Sequence, residues 1–214
     1  YDHAWKVLDS EIGKEVAAEF AKKDIKVLAW AGNGLRVMSN SKRPLKTVED
    51  MKGIRMRVPQ NKVYIDSVAA MGMNAVTMGM PEVFTALKSG VVDGQENPLA
   101  TLWASKWYEA QKYVSITNHI FSHASISINT KVWDKLTPDQ QKVIAEAAME
   151  TAKYQRKLLA DDEAGVIKKL QDAGLVVDTP DIAPFIKATQ PVRDAFAAAN
   201  PEAKALVEKI AAMK

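Results

Sequence analysis

Gly53-Ile-Arg-Met-Arg-Val-Pro-Gln60 and Val91-Val-Asp-Gly-Gln-Glu-Asn-Pro98 are the stretches whose reading decides the fold. In the first, apolar and cationic side chains alternate, so an extended chain puts Arg55 and Arg57 on one face, and Pro59 stops the strand. In the second, Val91-Val92 begins another extended piece and Asp93 to Asn97 read as a polar loop. Between them lie a helix carrying Val63, Val68 and Met71 and closed by Gly72, a strand Asn74–Met78, and a helix Pro81–Lys88 with proline at its first turn. Strands alternating with helices argue for an α/β architecture with largely parallel strands. Ligands gather at the carboxyl ends of such strands, where Arg57 and the Asp93–Asn97 loop both fall. Two positions forty residues apart are thereby expected to face one pocket.

Working outward, Trp5, Leu8, Ile12, Val16 and Phe20 recur at helical steps and predict a helix over residues 3–23, with Gly13 its weak point. Ile25–Trp30 reads as a buried strand, Gly32-Asn-Gly34 as a turn, and Leu35–Met38 as a resumed strand. Thr47-Val-Glu-Asp50 has capping-box spacing for one helical turn. Beyond Pro98, a helix carries Leu102, Trp103 and Trp107. Two extended runs, 112–116 and 124–128, flank a polar connection, Asn118-His-Ile-Phe-Ser-His123. Thr137-Pro-Asp-Gln140 starts a helix of over thirty residues, on the order of 50 Å, long enough to bridge two lobes. A short strand, Leu175–Val177, and helices over 181–197 and 200–213 finish the chain.

Composition narrows the function. With 47% hydrophobic residues in 214, the chain can bury a sizeable core. Its formal charge is only +3 and its cations are dispersed, so no nucleic-acid or membrane-surface partner is implied. The absence of cysteine removes disulfides, thiolate metal sites and a cysteine nucleophile. Catalytic constellations are missing too. His119 and His123 stand four apart on the connection rather than on a helix, so no metal site is expected. No nucleophile elbow or phosphate-cradling loop is present, and no cofactor is implied.

Binding chemistry is better represented. Arg57 offers a planar fork matched to a carboxylate, with Arg55 on the same face as its control; a solvated strand-end cation remains the alternative. Asn97, directly before a proline, suits a helix cap and equally a pocket, because free amides at a helix start attract anions. Met80, Trp103 and Trp107 read as packing residues.

Ser39-Asn-Ser-Lys-Arg-Pro44, Glu49–Pro59 and above all Val91–Pro98 resemble the solute-binding subunit of tripartite ATP-independent periplasmic (TRAP) transporters, from Asp2 to about Phe196. The resemblance implies a periplasmic, two-lobed periplasmic-binding-protein-like α/β fold with a hinge and a long lobe-bridging helix. Such a protein closes on a small organic acid and hands it to a TRAP membrane permease, with no bond made or broken. It places the family's carboxylate-binding arginine on Arg57, its pocket asparagine on Asn97 and a second arginine on Arg36, where Leu35 replaces an aromatic residue. Met80 takes a ligand-lining position that is often aromatic, and Gln60 and His119 fall near the pocket floor. Residues 34–122 and 163–214 would form the second lobe, and 1–33 with 123–162 the remnants of the first. The N-terminal portion of the first lobe is missing by this resemblance, so the chain is expected to be a fragment or to pair with a separate N-terminal segment that completes that lobe. Two other classes stay open: a ligand sensor feeding a membrane receptor, and an enzyme using His119 or Asp93 as base.

Overall fold

The computed structural model describes residues 1–213. Two short helices, α1 (Asp2–Leu8) and α2 (Glu11–Ala21), lead into a 16-residue strand, β1 (Ile25–Asn40). The single helix expected over residues 3–23 breaks because Ser10 accepts a hydrogen bond from the Ile12 amide as a new N-cap. The break brings Leu8 against Gly13, where an added Cβ would stand 1.9 Å from the Leu8 carbonyl oxygen. The turn expected at Gly32-Asn-Gly34 is absent as well. The chain stays extended through it, with Gly34 at φ 122° taking up the irregularity inside the strand.

A capped turn α3 (Val48–Met51), β2 (Arg55–Val58), α4 (Lys62–Ala70), β3 (Asn74–Thr77) and α5 (Val83–Lys88) come next, in the expected order. Thr47 and Asp50 close the expected capping box around α3. A 3-10 turn at Met80–Glu82, rather than the α-helix itself, takes up Pro81. The stretch read as a loop is a strand, β4 (Gly94–Pro98), after which α6 (Leu99–Ala104) begins. A 17-residue strand, β5 (Tyr113–Asn129), runs straight through the region expected to connect two strands. One helical turn, α7 (Thr130–Trp133), precedes the 35-residue α8 (Pro138–Asp172), whose start is capped reciprocally by Thr137 and Gln140. A short β6 (Val176–Asp178), α9 (Ala183–Ala199) and α10 (Pro201–Ala212) close the fold.

The six strands form one sheet in the order β3-β2-β4-β1-β5-β6. β2 runs parallel to β3 and β4, and β5 parallel to β6, but β4 is antiparallel to β1, so the sheet is mixed rather than largely parallel. The chain divides into two compact units. One comprises Tyr1–Gly34, Ser122–Asp162 and Asn200–Lys214; the other comprises Leu35–Phe121 and Glu163–Ala199. The last helix belongs to the first of these, with Lys209 bonded to Glu15 of α2 at 2.7 Å, rather than staying with residues 163–199.

The second unit has two cores. One joins Val37, Leu87, Leu102, Trp107, Val114 and Leu170; the other joins Met38, Leu45, Met51, Met56, Met71 and Phe185. Val37 and Met38 are successive strand residues, so the sheet is buried on both faces there. In the first unit, Ala29 and Ala31 of β1 pack on Ala148 and Ala152 of α8, small side chains that let helix and strand approach closely. Gln155 of α8 bonds both the amide and the carbonyl of Gly32, at 2.9 and 2.7 Å, as a neighbouring strand would.

Candidate functional site

The β4 register sorts the polar side chains of the second unit into two rows. Residues directly opposite one another share a face, and alternate residues change face. Arg57 lies opposite Gln95, and Val37 opposite Asn97, so Arg57, Gln95 and Asn97 belong to one row. Met38 lies opposite Glu96, and Arg36 opposite Pro98, which puts Arg36 and Glu96 in the other. Arg57 and Asn97 are therefore brought to one face, as expected, but by two paired strands rather than a strand and a loop.

Arg57 is 4% exposed. Its Nε and Nη2 donate to the carbonyl oxygen of Met78, at 3.1 and 2.7 Å, and among the described residues no carboxylate pairs with it. Burial pushes its pKa down, Glu96 opposes that from a distance, and Arg36 adds to it. A desolvated guanidinium held only by a backbone oxygen is a cation without its counter-charge. Arg55, its control, donates through Nε and Nη2 to Asp93 at 3.1 and 2.7 Å and leaves 43% of its side chain exposed. That pair is structural. Asp93, bonded by both the side chain and the amide of Arg55, sits at a pKa of about 2, and its Lys42 partner adds to the effect.

Arg36 is neutralised. Its Nε and Nη2 reach the Glu96 carboxylate at 2.6 and 2.8 Å, Nη2 also donates to the Glu96 carbonyl oxygen, and the Tyr64 ring lies 5.1 Å from the guanidinium carbon. His119 approaches the same carboxylate, Nε2 to Oε2 at 3.2 Å, while its Nδ1 lies 2.7 Å from Thr117 Oγ1. A carboxylate only accepts, so Nε2 carries the proton, and in the neutral ring Nδ1 accepts from the threonine hydroxyl. Burial alone would push the Glu96 pKa up; the hydrogen bonds from Arg36 and His119 hold it below the usual carboxylate range.

Asn97 is not a helix cap. Pro98 occupies the cap position of α6, and the Asn97 amide donates to Gln95 Oε1 at 2.9 Å. Gln95 in turn donates to Ser39 Oγ at 2.8 Å, and Ser39 donates to Gln111 at 3.0 Å. This relay locks the amide row on the Arg57 face. The glycine of the motif has a steric reason. A Cβ at Gly94 would come within 2.3 Å of the Ser39 carbonyl oxygen on β1.

Met80 is half exposed, next to the turn whose Met78 carbonyl receives Arg57, and Gln60 is exposed just past β2. Neither joins the two hydrogen-bonded rows. Glu96, Gln95 and Thr117 do, with the Tyr64 ring stacked on Arg36 beside them, and none of the four was singled out by residue chemistry. The signal that finds Glu96 is its place between Gln95 and Asn97 in a five-residue strand whose side chains are all buried. Among the described residues, no group of three or more His, Asp or Glu could hold a metal ion.

The model of the family described as bacterial extracellular solute-binding protein, family 7, matches residues 1–200. The chain belongs to that family. A solute-binding protein of Verminephrobacter eiseniae is 41% identical over 195 residues, covering 91% of this chain and 58% of its own length. The 2,3-diketo-L-gulonate-binding periplasmic protein of Escherichia coli is 37% identical over 177 residues, covering 83% and 54%. The chain thus spans little more than half the length of these two members. A TRAP periplasmic solute-binding protein of Roseobacter denitrificans, solved with bound β-D-glucuronate, superposes with a TM-score of 0.96 at 37% identity over all of this chain and 71% of that one. The α/β fold is therefore that of a TRAP periplasmic solute-binding protein. The family and these members are solute-binding proteins rather than enzymes. No helix of the described residues is long and apolar enough to cross a membrane.

Proposed function

We propose that the chain is the ligand-anchoring part of a periplasmic TRAP solute-binding protein, capturing a small organic acid and delivering it to a TRAP membrane permease. One observation carries this reading: Arg57 is a buried guanidinium with no carboxylate partner, beside two other arginines that each have one. An acid's carboxylate supplies the missing counter-charge through two parallel charge-assisted bonds. Asn97, fixed by the amide relay, adds a neutral hydrogen bond, and Arg36, from the alternate row, adds a charge-assisted one through Nη1, which Glu96 does not use. Met80, Gln60 and His119 are assigned as the contacts that select the rest of the ligand. The members named for 2,3-diketo-L-gulonate and solved with glucuronate support a hydroxylated acid.

The experiment is calorimetric titration of the full-length protein with D-glucuronate and with D-glucose, its neutral counterpart. The anchor predicts that the acid binds at least about a hundredfold more tightly, the equivalent of roughly two charge-assisted hydrogen bonds. Equal binding of the neutral sugar overturns the proposal.

A further inference from the structure

Among the described residues, three other than glycine have positive φ: Asp24, Lys106 and Asn118. Asp24 and Lys106 lie in turns between elements, where such angles are ordinary. Asn118, at φ 44°, lies inside β5. An L-residue in the left-handed region is strained, and asparagine is among the few that tolerate it. Its side chain does not repay the strain through the acceptor, because Oδ1 is buried without a hydrogen-bond partner. The backbone shape is what the position supplies.

Asn118 separates Thr117 from His119, the two side chains joined at 2.7 Å. In a regular strand, residues two apart are separated by roughly 6.7 Å along the chain and project in parallel. A left-handed residue between them breaks that spacing and re-aims the side chains beyond it, as irregularities beside functional sites do. The neighbouring strand also carries a positive-φ residue. Gly34, at φ 122°, stands two residues before Arg36 in β1. Each strand thus has a positive-φ residue within two positions of the residue that reaches Glu96, Arg36 from β1 and His119 from β5.

We infer that Asn118 is a positioning residue of the acid site: its left-handed backbone turns the His119 imidazole onto Glu96, completing the Arg36–Glu96–His119 arrangement in the row that alternates with that of Arg57. The binding readout of this inference rests on the function proposed above; its spectroscopic readout does not.

The test compares Asn118→Gly and Asn118→Ala in the full-length protein. Glycine keeps the left-handed conformation without a side chain, whereas alanine is strained there. Nitrogen-15 spectra of His119 without ligand report the tautomer; wild type and Asn118→Gly are expected to hold the proton on Nε2, and Asn118→Ala to show a mixture. D-Glucuronate affinity is expected to stay within about threefold for Asn118→Gly and to weaken about five- to thirtyfold for Asn118→Ala. Three results overturn the inference. Asn118→Gly could lose as much as Asn118→Ala, which would make the amide the functional group. Both variants could keep the wild-type tautomer. Asn118→Ala could lower stability alone, leaving tautomer and affinity unchanged. Should no variant, nor the wild type, bind glucuronate, the proposed function fails while the tautomer comparison still decides the role of Asn118.

Discussion

Glu96→Gln removes one charge from the second unit and almost nothing else. In the wild type the carboxylate, 1% exposed, accepts from Arg36 Nε and Nη2 at 2.6 and 2.8 Å and from His119 at 3.2 Å. Glutamine keeps the shape but turns one acceptor into an amide donor facing donors, and leaves the Arg36 guanidinium, 5% exposed, without its counter-charge. Breaking a buried pair from one side costs about 3–5 kcal/mol, a large share of the roughly 5–15 kcal/mol that keeps a domain folded. With a urea slope of about 2 kcal/mol per molar, the unfolding midpoint should fall by roughly 1.5–2.5 M. The chain's tryptophans give the fluorescence signal. The pH dependence has a definite sign. Because the folded Glu96 pKa is depressed, its contribution is present above the unfolded value near 4.5 and is lost as pH falls through the folded value. The gap between wild type and variant should therefore narrow on acidification. A midpoint shift under about 0.5 M, or a gap that does not change with pH, would refute the idea that this carboxylate neutralises Arg36.

Two other carboxylates should respond in opposite directions. Asp93→Asn, which removes the charge that pairs with Arg55 and Lys42 and one of the two acceptor oxygens, should lower stability by about 1–2 kcal/mol at neutral pH, and the wild-type advantage should disappear in urea melts as pH falls from 3.8 toward about 2. Asp178→Asn should be neutral or stabilising at neutral pH. Burial raises the Asp178 pKa against the single bond from Ser115, and its Oδ1 is unpaired, so its charged form opposes folding increasingly as pH rises through the folded value. A thermal melt in which Asp178→Asn loses several degrees at neutral pH would contradict that.

Local chemistry was the legible part of the fold. The capping boxes at Thr47 and Thr137 form as their spacing implies, and α8 runs the length its periodicity allows. Pairing across distance was not legible. Gly32-Asn-Gly34 and Asn118–His123 carry turn-forming residues, yet both continue as strand, because neighbouring chain supplies hydrogen bonds that override local preference. Gln155 is one such partner, bonding Gly32 from a helix that begins more than a hundred residues later. β4 was obscured for the same reason. Its polar residues look like a loop until Ser39, Gln95 and Asn97 are seen to satisfy one another inside the sheet. Glu96 was missed with it, since an acidic residue in a presumed loop has no reason to be buried. Arg57 was visible as a fork at a strand end, but its missing counter-charge only emerges once Arg55 is seen to hold Asp93 and Arg36 to hold Glu96.

The anchor itself is tested most directly by titrating D-glucuronate into wild type, Arg57→Ala and Arg55→Ala by calorimetry. Two charge-assisted bonds at about 1.5–3 kcal/mol each predict that Arg57→Ala weakens binding by at least about a hundredfold, while Arg55→Ala, already paired with Asp93, stays within a few-fold. Wild-type affinity in Arg57→Ala, or an equal loss in Arg55→Ala, would contradict the assignment of Arg57 as the residue that holds the acid.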